Sequence, residues 1–342
     1  MTCIGFASRA GDAMNRVTVP FLTQPVTIDG DLSDPAWASA AALTGFVRLE
    51  SLELARHKTL VYACYDAGHL YFGFQCEGDE ISNLQARATE RDDYPKEEDR
   101  VDLFLDVNRD RETYFYFIVN TLGTTFDMRC ESPIAAAWST EWNPEVSSAA
   151  RVHPHYWTAE LAIPFEGLGV QPPDPGDSWG LNVCRGSYSR MPGGEELSCW
   201  TRMRGNFHQP EGFGQAQFAR GESPIARLID LSRTGSEASR VGLEFVNPGP
   251  GDTNFTVRLR TKPAGSDPSN LRKRFSVPAG GRREVGIPLG HIKNGRVELD
   301  LEVFAKPMSN AVLRSRMDLA HFPDSITGDV TRDPDVAEAS RP

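Results

Sequence analysis

Residues 58–77 read KTLVYACYDAGHLYFGFQCE: two short aromatic and apolar runs, KTLVYACY and LYFGFQCE, on either side of DAGH. Runs of this length around a glycine-containing turn predict a β-hairpin. A second hairpin follows. In RVDLFLDV, Val101, Leu103, Leu105 and Val107 alternate with Asp102, Phe104 and Asp106, and NRDRE turns the chain into TYFYFIVN. Period-two patterning sends one set of side chains into a core. Further strands are predicted at WTAELAIPF, WGLNVCRGSY, ELSCWTRM and GQAQFAR. With 30 Gly and 24 Pro scattered through the chain and no long helical pattern, the reading is all-β: a two-sheet antiparallel sandwich in the first two thirds.

A chain of 342 residues exceeds what one core usually serves, so a second domain is expected. Charge marks the place: residues 1–222 carry 18 basic and 32 acidic side chains, and residues 223–322 carry 16 and 10. Beyond Pro224 come seven short candidate strands, ARLIDL, SRVGLEFV, NFTVRLR, LRKRFSV, REVGIPL, RVELDLEVF and VLRSRMDL. Seven strands in this length fit a smaller immunoglobulin-like sandwich. The expected division is a flexible segment 1–17, a sandwich 18–221, a second sandwich 222–322 and a disordered tail 323–342. A chain ending at Gly221 is expected to fold by itself.

The net charge of −11 argues against nucleic acid as partner. No apolar run approaches the roughly 20 residues that cross a bilayer, and MTCIGFASRAGDAMNR lacks the apolar core of a signal peptide. Oligomeric state is left open. The six cysteines form no CxxC pair, so buried thiols are expected rather than zinc ligands; Cys184 and Cys199 are spaced to face each other across a hairpin with the loop SRMPGG. GxSxG, HExxH and the P-loop are absent, and His153 and His155 merely flank Pro154. The reading is therefore a non-catalytic protein. One alternative is a glycoside hydrolase or lyase using carboxylates of the acidic loops, since paired carboxylates have no linear motif. Another is a haem-binding sandwich with His208 and Met203 as candidate axial ligands, without CxxCH. In DVNRDRE, Asp106, Asn108 and Asp110 resemble the start of a calcium loop that lacks the following glycine and the late glutamate.

The segments IDGDLSDPAW, YDAGHLYFGFQCEGD, DRVDLFLDVNRD, FYFIVN, WTAELAIPFEGLG, WGLNVCR, SCW and FGQAQF, in this order over residues 24–219, closely resemble family 9 carbohydrate-binding modules. The resemblance implies a jelly-roll β-sandwich that binds an oligosaccharide or polysaccharide outside the cytoplasm, extracellularly or in the periplasm, at times with structural calcium. It implies that IDGDLSDPAW is a strand ending at Ile28, a turn, and a helical turn starting near Asp34 and Pro35, with Trp37 as a plug. It also implies a sugar held between two rings. Lys96 stands at the first ring position with Tyr94 two residues earlier, and Phe207 stands at the second. Asp102 and Asn120 match polar positions, and Ile118 stands where an arginine is expected. Two further readings come from the residues. Trp138 and Trp142 share a long connection, where a tryptophan serves either as a stacking platform or as core. Arg185 admits either a bidentate contact to a uronate or a structural ion pair.

Overall fold

A computed structural model describes residues 14–49, 53–78, 81–131, 138–188, 195–221, 223–234, 238–263, 267–289, 297–306, 308 and 310–318. The expected disordered tail 323–342 and the SRMPGG loop lie outside these residues. The first strands are β1 (Arg16–Pro20), β2 (Ala41–Leu43), β3 (Val47–Arg48), β4 (Thr59–Tyr65), β5 (His69–Glu77), β6 (Arg100–Asp106) and β7 (Tyr114–Asn120). Next come β8 (Thr125–Cys130), β9 (Trp138–Ser139), β10 (Ser147–Val152), β11 (Tyr156–Pro164), β12 (Ser178–Ser187), β13 (Glu196–Cys199) and β14 (Gly214–Ala219). The last are β15 (Ile225–Thr234), β16 (Ala238–Val246), β17 (Thr253–Pro263), β18 (Ser269–Val277), β19 (Arg282–Pro288), β20 (Val297–Ala305) and β21 (Ala311–Asp318).

A five-stranded sheet in the order β10-β11-β5-β4-β2 faces the run β14-β12-β6-β7-β8 of a larger sheet. Alternation decides what lies between them. Val101, Leu103 and Leu105 of β6 and Phe115, Phe117 and Val119 of β7 meet Phe72, Phe74 and Trp157 of the facing sheet. Each such buried side chain contributes about 1.5–3 kcal/mol of transfer free energy. The KTLVYACY and LYFGFQCE runs are β4 and β5, paired antiparallel from Thr59↔Cys76 to Tyr65↔Leu70. The strands that escape the sequence pattern are β1, the short β2, β3 and β9, and β8 and β10, the last an edge strand whose SSAARV is too polar and too exposed to alternate clearly.

The second half is also two-layered: β15-β16-β19 packs on β18-β17-β20-β21 over a core that includes Leu243, Phe245, Phe255, Leu299 and Leu301. The larger sheet is continuous across the expected boundary, because β1 pairs parallel with β14 and antiparallel with β21. The described part of the supposedly flexible segment is therefore fixed. Val17 is buried, and the Asn15 side chain donates to the Trp200 carbonyl and accepts from the Arg316 N–H.

The IDGDLSDPAW segment closes the outer face of the five-stranded sheet. Ile28 lies outside any strand, and Asp34 accepts the Thr27 N–H rather than capping the short helical turn Trp37–Ser39. What holds the segment is Glu160, whose carboxylate accepts the N–H groups of Asp29 and Gly30 and the Trp37 indole Nε1–H at 2.8–2.9 Å. Gly30 has φ +84°, and a Cβ there would stand 2.7 Å from the Ala150 backbone. From the second half, the buried Arg227 guanidinium donates to the carbonyls of Trp37, Ala38 and Ala40 and pairs with Glu244 at 2.8 Å. Trp37 is 2% exposed, the plug that the resemblance implies.

Candidate functional site

The outer face of the β12-β6-β7-β8 run carries the other set of alternating side chains. Phe104, Tyr114, Tyr116, Ile118, Phe126, Met128, Cys130 and Cys184 form a separate apolar cluster there. The segment after β13 folds across it and adds Met203, Phe207 and Phe213. Two large rings at the rim stay accessible, Tyr94 at 51% and Trp138 at 37%. Tyr94 meets Phe126 edge to face at 5.3 Å, and Trp138 pairs opposite Cys130. Phe126 and Cys130 are four residues apart on β8, so the two rings are anchored about 13 Å apart along the strand.

Between the rims runs a chain of polar contacts. The Arg100 guanidinium lies 5.5 Å from the Tyr94 ring and 5.7 Å from that of Tyr188, donates to the Pro95 carbonyl and pairs with Asp102 at 3.3 Å. Asp102 accepts the Tyr116 hydroxyl at 2.5 Å. Burial, then the Asp102 charge, pushes the Tyr116 hydroxyl well above its ordinary pKa. The Tyr116 ring packs against His208 at 5.0 Å; His208 bonds the Tyr114 hydroxyl through Nδ1 at 2.8 Å and stacks on Trp138 at 4.6 Å and 23°. Burial lowers the His208 pKa, with Asp102 opposing, so the ring is neutral at pH 7.

The structure distributes the expected site residues unequally. Tyr94, Asp102, Trp138 and Phe207 share this face, but Asp102 is fully buried and Phe207 is 7% exposed, packed on Phe104 from within the covering segment. Phe207 is thus part of the cover. Asn120 is a turn anchor: its amide donates to the Ala88 carbonyl and Glu98, and its oxygen accepts the N–H groups of Leu122 and Thr124. Lys96 is exposed beside Glu97 at 3.8 Å. Arg185 has the parity of Leu181 and Val183, so it points away from this face; 3% exposed, it donates to the carbonyls of Glu77 and Lys58. Ile118 is buried in the apolar cluster. Trp142 packs on Phe115 and Phe117 and donates to the Gly167 carbonyl, which makes it core.

The other chemistries fit less well. Asp110 accepts the Glu112 and Thr113 N–H groups and the Thr113 hydroxyl, and the Asn108 amide donates to it; Asp106 accepts the Arg111 N–H. These three residues build a turn in which the Asp110 oxygens and one Asp106 oxygen face donors, while Asp106 Oδ1 is buried without a hydrogen-bond partner. Met203 is sealed in the apolar cluster and His208 is engaged by Tyr114, so the pair does not fit axial ligation of haem. In the acidic run, Glu98 accepts the Ala88 N–H, and Asp99 accepts those of Gln85 and Tyr188. Cys184 and Cys199 are directly opposed across β12 and β13, both buried, as free thiols. Sequence reasoning missed Arg100 and Tyr188 and gave His208 another role; the RVD start of β6 was the available trace of Arg100.

The family model described as carbohydrate family 9 binding domain-like matches residues 28–220. No curated protein matches the chain. Among solved structures, a family 9 carbohydrate-binding module from Caldicellulosiruptor kristjanssonii in complex with cellotriose is similar at 18% identity and TM-score 0.44, covering 60% of this chain and 94% of its own. The same organism's module in complex with glucose is similar at 18% identity and TM-score 0.45, covering 60% and 96%. A putative carbohydrate-binding protein from Bacteroides uniformis is similar at 14% identity and TM-score 0.48, covering 59% and 98%.

Proposed function

The chain belongs to the carbohydrate family 9 binding domain-like family through residues 28–220, and on that premise we propose that it binds an oligosaccharide or polysaccharide on the face rimmed by Tyr94 and Trp138, without catalysing a reaction on it. The observation that carries this reading is Trp138: a tryptophan stacked flat on His208 yet 37% exposed, on a face where Tyr94 is the other accessible large ring. A ring so presented matches the C–H face of a sugar, while hydroxyls find hydrogen-bond partners at the rim. Asp102, Arg100 and Tyr116 act beneath the surface as a positioning network. This site differs from a sandwich of two facing rings; it is an open platform with its rings about 13 Å apart.

The same reading includes an immunoglobulin-like sandwich in the second half, beginning near residue 222, supported by its layers of three and four strands. It also includes an extracellular or periplasmic setting; among the described residues no helix is long and apolar enough to cross a membrane.

Titration calorimetry with cellotriose and a uronate oligosaccharide tests the site. Trp138→Ala and Tyr94→Ala are expected to weaken cellotriose binding by about 1–3 kcal/mol each, taking the area of one ring as the guide, with unchanged circular dichroism. Arg185→Ala is expected to leave the preference between the two sugars unchanged, since its guanidinium is inside. Wild-type affinity in both ring variants places the ligand elsewhere.

A further inference from the structure

The outward side chains of β17, β18, β20 and β21 enclose a groove of about 430 Å³ on the second half, within the 300–1,000 Å³ range of small-ligand sites. Five arginines line it, Arg258, Arg260, Arg272, Arg314 and Arg316, against two acids, Asp300 and Glu302. Both acids are engaged from one side. Glu302 takes the Arg314 fork at 2.5 and 2.9 Å, and Asp300 pairs with Arg316 at 3.1 Å. On the other side Arg258 stands directly opposite Arg272 in the β17–β18 ladder, and Arg260 and Arg274 flank them. Among the described residues none of these four is in an ion pair; Arg258 lies over the Phe304 ring at 4.6 Å.

Directly opposed like charges destabilise a sheet. Protection of an edge accounts for Arg272 and Arg274, because β18 ends the sheet and charged side chains deter edge-to-edge pairing. On the interior strand β17, Arg258 and Arg260 stand opposite Glu302 and Asp300 of β20, but each of these acids is already taken by an arginine of β21, so five arginines share two acids and the groove keeps an excess of positive charge. A bound anion removes the repulsion and uses the forks: guanidinium matches a carboxylate by two parallel N–H···O bonds.

We propose that this groove binds an acidic polysaccharide through uronate carboxylates, with Arg258, Arg260 and Arg272 as the recognising residues. The groove is about 10 Å across from β18 to β20, room for one sugar chain lying along the strands. A nucleic acid suits it less. Single-stranded recognition needs open aromatic platforms, and the one ring of this face in contact with the cluster, Phe304, is capped by Arg258. The first 222 residues carry 14 more acidic than basic side chains (32 − 18), which penalises a phosphate polymer of high charge density more than a chain with one charge per sugar. The choice of a sugar polymer rests on the carbohydrate reading of the first half; the anion preference rests on the groove.

The test is calorimetry of the full chain with oligogalacturonate, cellotriose and a single-stranded oligonucleotide, at low and moderate salt. Wild type is expected to bind oligogalacturonate with an affinity that falls as salt rises. The double variant Arg258→Gln, Arg272→Gln is expected to bind it at least about tenfold more weakly, the loss of one or two charge-assisted bonds. Arg272→Glu gives Arg258 a partner, so it is expected to abolish this binding while raising the melting temperature, which separates lost recognition from lost folding. Trp138→Ala is expected to weaken cellotriose and spare oligogalacturonate, so either site can fail without the other. Wild-type affinity in the double variant, no oligogalacturonate binding by wild type, or tighter binding of the oligonucleotide overturns the proposal.

Discussion

The first sandwich has two outer faces, each closed by a covering segment and each carrying a tryptophan, and the two are finished differently. On one, Trp37 is 2% exposed, its indole N–H is taken by Glu160, and the backbone beside it is held by Glu160 and Arg227. On the other, Trp138 rests on His208 at 4.6 Å and stays 37% exposed. The lesson concerns satisfaction of polar groups. Where every donor near a ring has a buried partner, the ring is structure; where the ring is supported from one side only, its second face is free for a ligand.

The largest expected effect that breaks this comparison is on Trp37. Trp37→Ala is expected to cost about 3–5 kcal/mol, because a large aromatic leaves a cavity that Leu32 and Tyr62 cannot fill. Trp138→Ala is expected to stay within about 1 kcal/mol of wild type, as for a rim position. Parallel thermal melts check both, and equal losses would erase the distinction. Next is Arg227→Met, which leaves Glu244 without its nearest cation and three carbonyls without their donor. A loss of about 3 kcal/mol in chemical denaturation is expected, at the lower end for a broken buried pair because Arg282 remains 3.6 Å from Glu244. A transition in which the two halves still unfold together sharpens the role of β1, which pairs with both.

The smallest effect is on pH. The His208 pKa is depressed in the folded chain, by burial first, below its ordinary 6.5. The unfolded chain therefore takes up this proton at higher pH than the folded chain. The contribution of neutral His208 to stability is present above about pH 6.5 and is lost as pH falls through the window down to its folded pKa. Acid titration is expected to change Trp138 fluorescence in that window, and His208→Gln is expected to abolish the change. Persistence of the change in this variant assigns it to another group.

The carboxylate at Glu160 shows where legibility stops. IDGDLSDPAW announces turns and a buried tryptophan by composition alone, but the residue that holds it lies 131 positions from Asp29, inside an apolar strand where it reads as an exception. Arg185 shows the reverse. Its strand was legible, yet its partners are carbonyls of β5 and the residue before β4, 108 and 127 positions away, and they draw it into the sandwich.

By itself the sequence determined the long core strands, since period-two alternation is a local property of a pleated chain, and with them the all-β class and the two-layer sandwich. It also marked the change of charge near residue 222. Which outward rings are covered was decided only by the tertiary structure, through the passage of residues 200–213 over β6, β7 and β12 and the stacking of Trp138 on His208. The physical reason is that exposure is set by contacts between segments distant in the chain, and an aromatic side chain carries the same local pattern whether another segment lies over it or not.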